Sequence, residues 1–312
     1  MIFLKRALIP SVLICVSLVS FAQTPVKYLS FNKLDLMLYA WHGNKVAILS
    51  RKQDLDKNTM GKWLKVMDSV YSFYQRCTGK TPSIIPQYYI NGHSTIADVS
   101  NTCGAGCGYL GFTGIELLNS FFDDYYNAIH HNNEYRQELF YEFGRNFWFY
   151  TDQIAYKKDD PVTTGYAVFM RFLAMESTGV NGAPFGNWTF KVFQEKVVGL
   201  IDKYMKSPAL TWQNTLGINK GVPDSELGAT DLFASFCFRL RRDYGGNTFV
   251  TKLWKSVSKR PVAKSTQDAV DNFFLASCEA TNRNLSRVFQ SWKWPLSKTA
   301  LAESSKFKGA AH

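Results

Sequence analysis

The sequence predicts an α+β protein, with a small strand-rich N-terminal lobe over residues 23–120 followed by a mainly helical lobe over 121–312. Three observations carry that reading. Short apolar segments separated by turn signals crowd the first third of the chain, whereas apolar residues at three- and four-residue spacing fill the rest. A hydrophobic content of 46%, with 15% aromatic residues, lets 312 residues bury one large core or two coupled ones.

Residues 1–22 read as a signal peptide. Lys5 and Arg6 form a basic start, an apolar stretch follows, and Ser20 and Ala22 supply the small residues that precede a cleavage site. The apolar run is short for a membrane span, and no later segment offers about 18 uninterrupted apolar residues. The expectation is an exported protein, secreted or periplasmic, with no membrane span after cleavage.

The next segment, LDLMLYAWHGNKVAILSR, reads as two strands around the turn His42-Gly43-Asn44. QDLDKNTMGKWLKVMDSVYSFYQRCTG then places Met60, Trp63, Leu64, Met67, Val70, Tyr71 and Tyr74 on one helical face. Asp54 or Asp56 would cap this helix and Gly79 would end it. Its acidic start is no calcium loop, because Thr59 and Lys65 stand where such a loop needs Gly and Glu. SIIPQYYING and STIADVS look like further strands. Helices are expected around 133–151, 164–177, 190–205, 229–243, 248–257, 266–278 and 284–291.

Between the two halves lies NTCGAGCGYLG, residues 101–111. Two sulfurs are only half of a structural zinc set, so in an oxidising compartment Cys103 and Cys107 are expected to form a disulfide. Gly104, Gly106 and Gly108 allow left-handed backbone or close approach of another group, which suits a folded turn or a ligand-binding loop. Five cysteines remain after cleavage, so at least one of Cys77, Cys103, Cys107, Cys237 and Cys278 is unpaired or joins another chain.

The formal net charge is +11, of which Lys5 and Arg6 contribute two. Such a balance favours anionic surfaces. The clusters at 239–242 and 252–264 carry no nucleic-acid motif, so nucleic acid is not an expected partner. Neither a G-x-S-x-G elbow nor a glycine-rich phosphate loop of the Walker or dinucleotide type occurs.

The stretch ELFYEFGRNFWFY, residues 138–150, has the frame of H-E-x-x-H with Tyr141 and Arg145 in the histidine slots and Glu142 at the centre. Eighteen residues separate Arg145 from TGYAVF, residues 164–169. These two stretches resemble the gluzincin superfamily of zinc metallopeptidases. There H-E-x-x-H supplies two ligands and a general base, because a four-residue step returns to one helix face. E-G-x-A-x-[YF] on a following helix supplies the third ligand. The resemblance implies a gluzincin-like helical lobe with all three ligand positions changed, to Tyr141, Arg145 and Thr164.

Arginine cannot lose its proton at ordinary pH, so Arg145 cannot coordinate a cation and its charge repels one. No metal and no cofactor are therefore expected at this motif. Glu142 and Arg145 share a helix face and can pair. Three uses of the pair stand open: a structural link between helices 133–151 and 164–177; ligand binding, with Arg145 on an anion and Glu142 on a hydroxyl; or metal-free catalysis, with Glu142 as base and Tyr141 or Arg145 on an oxyanion. Tyr141, Glu142 and Arg145 are the candidate catalytic residues, and Thr164, Tyr166, Gly104 and Gly106 the candidate ligand contacts.

Peptide or polysaccharide is the ligand class such a cleft suggests. The expected protein is a pseudopeptidase, with a metal-independent hydrolase or a structural extracellular protein as alternatives. Secondary candidates are a glycosidase pair of Glu116 and Glu142, a metal pair of His130 and His131, a network of Arg171 and Glu176 with the central pair, and surface stacking by Trp292 and Trp294.

Overall fold

In the computed structural model the described residues are 23–308, so the signal-peptide reading of 1–22 lies outside them. The chain is α+β. Strands β1 (Thr24–Leu29), β2 (Asp35–His42) and β3 (Val46–Ser50) form an antiparallel meander, and the hairpin expected at Gly43 joins the last two. All five residues of β3 are buried. Val46 and Ile48 enter the large core, and Ala47 and Leu49 a smaller one on the opposite face.

Helix α1 (Lys57–Thr78) follows the expected stripe. The Asp56 carboxylate accepts the Thr59 N–H at 2.8 Å, and Gly79 closes the C-terminus at φ 70°, a conformation a side chain disfavours. The helix carries the chain across to β5 (His93–Val99), which pairs parallel with β3, as a crossover connection requires.

SIIPQYYING is not one strand. Pro86 lacks the N–H a ladder needs and opens a short 3-10 turn, leaving only β4 (Tyr89–Ile90) before Asn91 and Gly92 turn the chain into β5 at φ 50° and 85°.

Strand β6 (Gly106–Gly108) lies at the sheet edge, antiparallel to β7 (Ile115–Leu118), which itself runs parallel to β5. The sheet order is therefore β1-β2-β3-β5-β7-β6, with β4 attached to β5. Ile115 and Leu117 face the large core and Glu116 faces the small one, beside Tyr28.

Helix α2 (Asn119–Asn127), which the sequence did not reveal as a separate element, leads through a π turn into β8 (Glu134–Tyr135) and α3 (Glu138–Asn146). The helix expected over 133–151 is thus much shorter. Asn133 stands at φ 53° and breaks its start. At its end the Arg145 carbonyl accepts the N–H of Gly111 and the Phe147 carbonyl accepts the Tyr166 hydroxyl, so tertiary partners replace further helical turns. Only the short α4 (Thr151–Ile154) resumes it.

The later helices match expectation closely: α5 (Val162–Thr178), then α6 (Phe190–Lys206) after the two-residue β9 (Asn181–Gly182), α7 (Ala229–Asp243), α8 (Gly246–Val257), α9 (Thr266–Thr281) and α10 (Ser286–Ser291). A short α11 (Lys298–Ser304) was not anticipated. The large apolar core runs without a break from Trp41 of the sheet to Ala300 of α11. Trp292 and Trp294 belong to it, packed against Phe236 and Phe289, so they are not the surface stacking pair their non-helical setting suggested.

Candidate functional site

Helices α3 and α5 bring the two motif stretches together. Gly144 lies so close to Ala167 that a Cβ there would stand 2.9 Å from the Ala167 Cα. Farther along, the Arg171 guanidinium lies 5.9 Å from the Tyr141 ring, so the two helices pack with opposite polarity. Thr164 and Arg171 are seven residues apart, about two turns, and share one face of α5.

The edge strand packs directly on another side of α3. A Cβ on Gly106 would lie 3.4 Å from Glu142 Cγ, and one on Gly108 would lie 2.9 Å from the Glu142 carbonyl oxygen and 3.2 Å from its Oε2. Glycine at 108 is needed for this approach, since any side chain would collide with the helix backbone. The disulfide between Cys103 and Cys107 ties the loop that feeds β6, as expected from the sequence. Cys77, Cys237 and Cys278 are separate buried thiols, whose pKa burial raises.

Glu142 is 6% exposed, and its Oε2 has no hydrogen-bond partner. Burial is the largest influence and pushes its pKa from 4.5 to about 7; the Arg145 charge and the Gly108 main chain pull it down, and Glu138 pushes it up. Arg145 turns inward. Its Nε donates to the Gly108 carbonyl at 3.0 Å and stands 3.6 Å from Glu142 Oε2, so one guanidinium bridges the edge strand and the acid. Tyr141 and Thr164 are half-buried on the two helices.

Other candidates fall elsewhere. Tyr166 is fully buried and its hydroxyl donates to the Phe147 carbonyl, so it serves the core and reaches no cleft. Gly104 is exposed at φ 122°, with nothing within 4 Å of a Cβ built on it. Glu116 cannot face Glu142 across a sugar: it lies on the opposite face of the sheet, and its Oε1 accepts from Phe31 N at 2.7 Å and from Tyr28 at 3.2 Å. Glu176 does not join Arg171; it pairs with Arg241 at 2.7 Å and accepts from Gln194 at 2.8 Å. His130 is held by Thr59 at 2.9 Å and stacked on Tyr126.

The resemblance to zinc metallopeptidases implies zinc, and the donors present do not suit it. Tyr141, Arg145 and Thr164 offer one fixed positive charge and no imidazole, and the Arg145 Nε is a donor already engaged by Gly108. Among the described residues no cluster of three or more His, Cys, Asp or Glu side chains is arranged to hold an ion. No chemical step through a metal is therefore derived for this chain.

Sequence reasoning missed two participants. Gly108 was noted as a glycine but not as the floor beneath Glu142, a role visible only once β6 is placed against α3. Arg171 was assigned to a network with Glu176, although its spacing of seven from Thr164 already put it on the motif face.

No protein-family model matches the chain, and no curated protein matches it in sequence. Solved structures do match in fold. A functionally unknown conserved protein from Bacillus anthracis str. Ames aligns with 10% identity and a TM-score of 0.56, covering 87% of this chain and 52% of that one. The M60 catalytic domain of Clostridium perfringens ZmpC, in complex with the sialyl T antigen, aligns with 14% identity and a TM-score of 0.53, over 90% of this chain and 51% of that one. A metallopeptidase from Bacteroides thetaiotaomicron aligns with 10% identity and a TM-score of 0.52, over 86% and 46% respectively. The chain spans about half the length of the solved chains it matches. The likeness supports the gluzincin-like fold and, at these identities, the fold alone.

Proposed function

We propose that this protein is an exported, metallopeptidase-like binding protein, a pseudopeptidase whose cleft between β6, α3 and α5 takes peptide or glycan without a zinc ion. The carrying observation is the inward placement of Arg145 on Gly108 and Glu142, at the position where the fold's peptidases would carry the second ligand. A permanent cation there opposes metal entry, and the pair fills part of the volume an ion would need. Tyr141 adds a half-exposed phenol, and the basic net charge of the chain favours an anionic ligand or surface.

One experiment addresses the zinc directly. Elemental analysis of the purified protein is expected to find no stoichiometric zinc, while the triple variant Tyr141→His, Arg145→His, Thr164→Glu is expected to acquire about one ion. Stoichiometric zinc in the unaltered protein would overturn the reading.

A second reading is favoured by the Glu142 pKa of about 7, which is suited to a general base at neutral pH. In it the protein is a metal-independent hydrolase, with Tyr141 or Arg145 stabilising the oxyanion. Turnover of peptide or glycoside that Glu142→Gln abolishes, with the fold retained, would favour this second reading; ligand-dependent thermal stabilisation without turnover favours the first.

A further inference from the structure

Arg171, on the face of α5 that carries Thr164, is 8% exposed. Its Nε is sealed from solvent and unpartnered. Among the described residues no group accepts from its two terminal nitrogens either, and these keep access to solvent. A largely buried guanidinium with no protein acceptor is unusual, because withdrawing such a charge from water is unfavourable unless something compensates it.

The nearby aromatic faces compensate in part. The guanidinium lies 4.9 Å from the Phe172 ring centroid, 5.1 Å from that of Phe193 and 5.9 Å from that of Tyr141. These contacts hold the cation but leave its donor edge unfilled.

The carboxylates around it are directed elsewhere. Asp231 is the nearest in influence, but its Oδ2 caps α7 by accepting the Gly228 N–H at 2.8 Å. Glu138 accepts from Arg136 at 2.9 Å. Neither stands within the 4.0 Å of an ion pair with Arg171. Burial accordingly pulls the Arg171 pKa below its usual value.

Unpartnered polar atoms gather at the start of α3 and at Gln137 just before it. Gln137 is 2% exposed with neither Nε2 nor Oε1 bonded, and Glu138 Oε2 and Glu142 Oε2 are also without partners. A helix residue's side chain leans toward the N-terminus of its helix, so Arg171 reaches from its own position back toward Thr164 and Tyr141.

We propose that Arg171 is the anchor for a carboxylate of the ligand, which it would hold through the open edge of its guanidinium while the aromatic rings fix its plane. A carboxylate accepts two parallel N–H bonds from that edge, a match that a hydroxyl or an amide cannot give. The inference rests on the reading of the α3–α5 cleft as a ligand site and assigns the ligand an acidic group. A peptide C-terminus and a uronic acid share that chemistry.

The test is thermal unfolding of the full protein at fixed ionic strength. Probes are acetyl-Ala-Ala as free acid against its amide, and glucuronic acid against glucose, with sodium chloride as the reference. The expected result is a rise of about 2–3 °C with one of the acids at tenfold above its Kd, and none with the neutral partner. Whichever acid acts identifies the source. Arg171→Gln is expected to abolish the rise and Arg171→Lys to keep a weaker one.

Equal responses to acid and neutral probe in the unaltered protein would overturn the proposal, as would an undiminished response in Arg171→Gln. If Arg171→Gln does not fold, the unaltered protein and Arg171→Lys decide by the same acid-against-neutral comparison. Failure here is separable from failure of the functional reading. Zinc found in a protein with an intact, Arg171-dependent response overturns only the zinc-free reading, and an indifferent Arg171 in a zinc-free protein overturns only this one.

Discussion

Asp68 and Glu142 are both buried acids on helices packed against the sheet, yet the structure treats them in opposite ways. Asp68 accepts from the main-chain N–H groups of Asn44, Lys45 and Val46 at 2.6, 2.7 and 3.1 Å, and so closes the turn between β2 and β3. Glu142 has an unpartnered oxygen, an arginine at 3.6 Å and a glycine strand pressed against it. The first acid is an architectural part with its donors supplied by the turn it holds. The second is under-satisfied in a region where Arg171, Gln137 and Glu138 are also under-satisfied. Saturation separates scaffold from site more sharply than burial does, because an unpaired polar group persists only where something else compensates it.

Removing Asp68 gives the largest expected effect. Asp68→Ala orphans three N–H groups at a tight turn and is expected to destabilise the fold by about 3–4 kcal/mol, measured by chemical denaturation. A loss under about 1 kcal/mol would erase the contrast, because Asp68 would then be no more structural than Glu142.

The pH dependence of Glu142 is next in size. Its pKa is about 7 in the folded protein against an ordinary 4.5, so the folded state holds the proton more tightly than the unfolded one. Below pH 4.5 both states are protonated and the group imposes no penalty. As pH rises from 4.5 toward 7 the unfolded chain ionises first and stability falls, reaching a plateau above 7 at a cost of roughly 3 kcal/mol. Asp98 is also raised, to about 6, so the measurement must be the difference between the unaltered protein and Glu142→Gln. That difference is expected to favour Glu142→Gln increasingly across this window. A flat difference would mean that water or a partner already satisfies the carboxylate.

The sequence made the contrast legible only in part. Periodicity placed α1 and the helices from α5 to α10, since their apolar faces meet a core and few tertiary bonds compete with their backbone. It overextended α3, because Gly111 and Tyr166 accept the role of capping its last carbonyls and neither is local in sequence. Motif spacing correctly put Tyr141, Glu142 and Arg145 on one helix packed against the helix of Thr164. The residue types of Tyr166, Glu116 and Trp294 suit a binding surface, but their side chains point into a core or to the far side of the sheet. Partner count, which separated Asp68 from Glu142, is a property of three-dimensional neighbours and leaves no periodic trace in the chain.

Gly108→Ala provides the smallest and most specific test of the contrast. The added methyl would meet the Glu142 carbonyl oxygen at 2.9 Å and Asn146 Nδ2 at 3.1 Å, so β6 must move off α3 by a few tenths of an ångström. A strain of about 1–2 kcal/mol is expected in denaturation. Displacement of β6 also lengthens the bond from Arg145 Nε to the Gly108 carbonyl and opens Glu142 to water; because burial is the largest influence on Glu142, the gain in hydration outweighs the lost Gly108 main-chain contact and favours the charged form. Gly108→Ala is therefore expected to be less stable near pH 5 and to lose part of this deficit by pH 8, since its Glu142 is less penalised by ionisation. Proportionate loss at both pH values would mean that the strand packs on the helix without setting the acid's environment, and Glu142 would then owe its raised pKa to the helices alone.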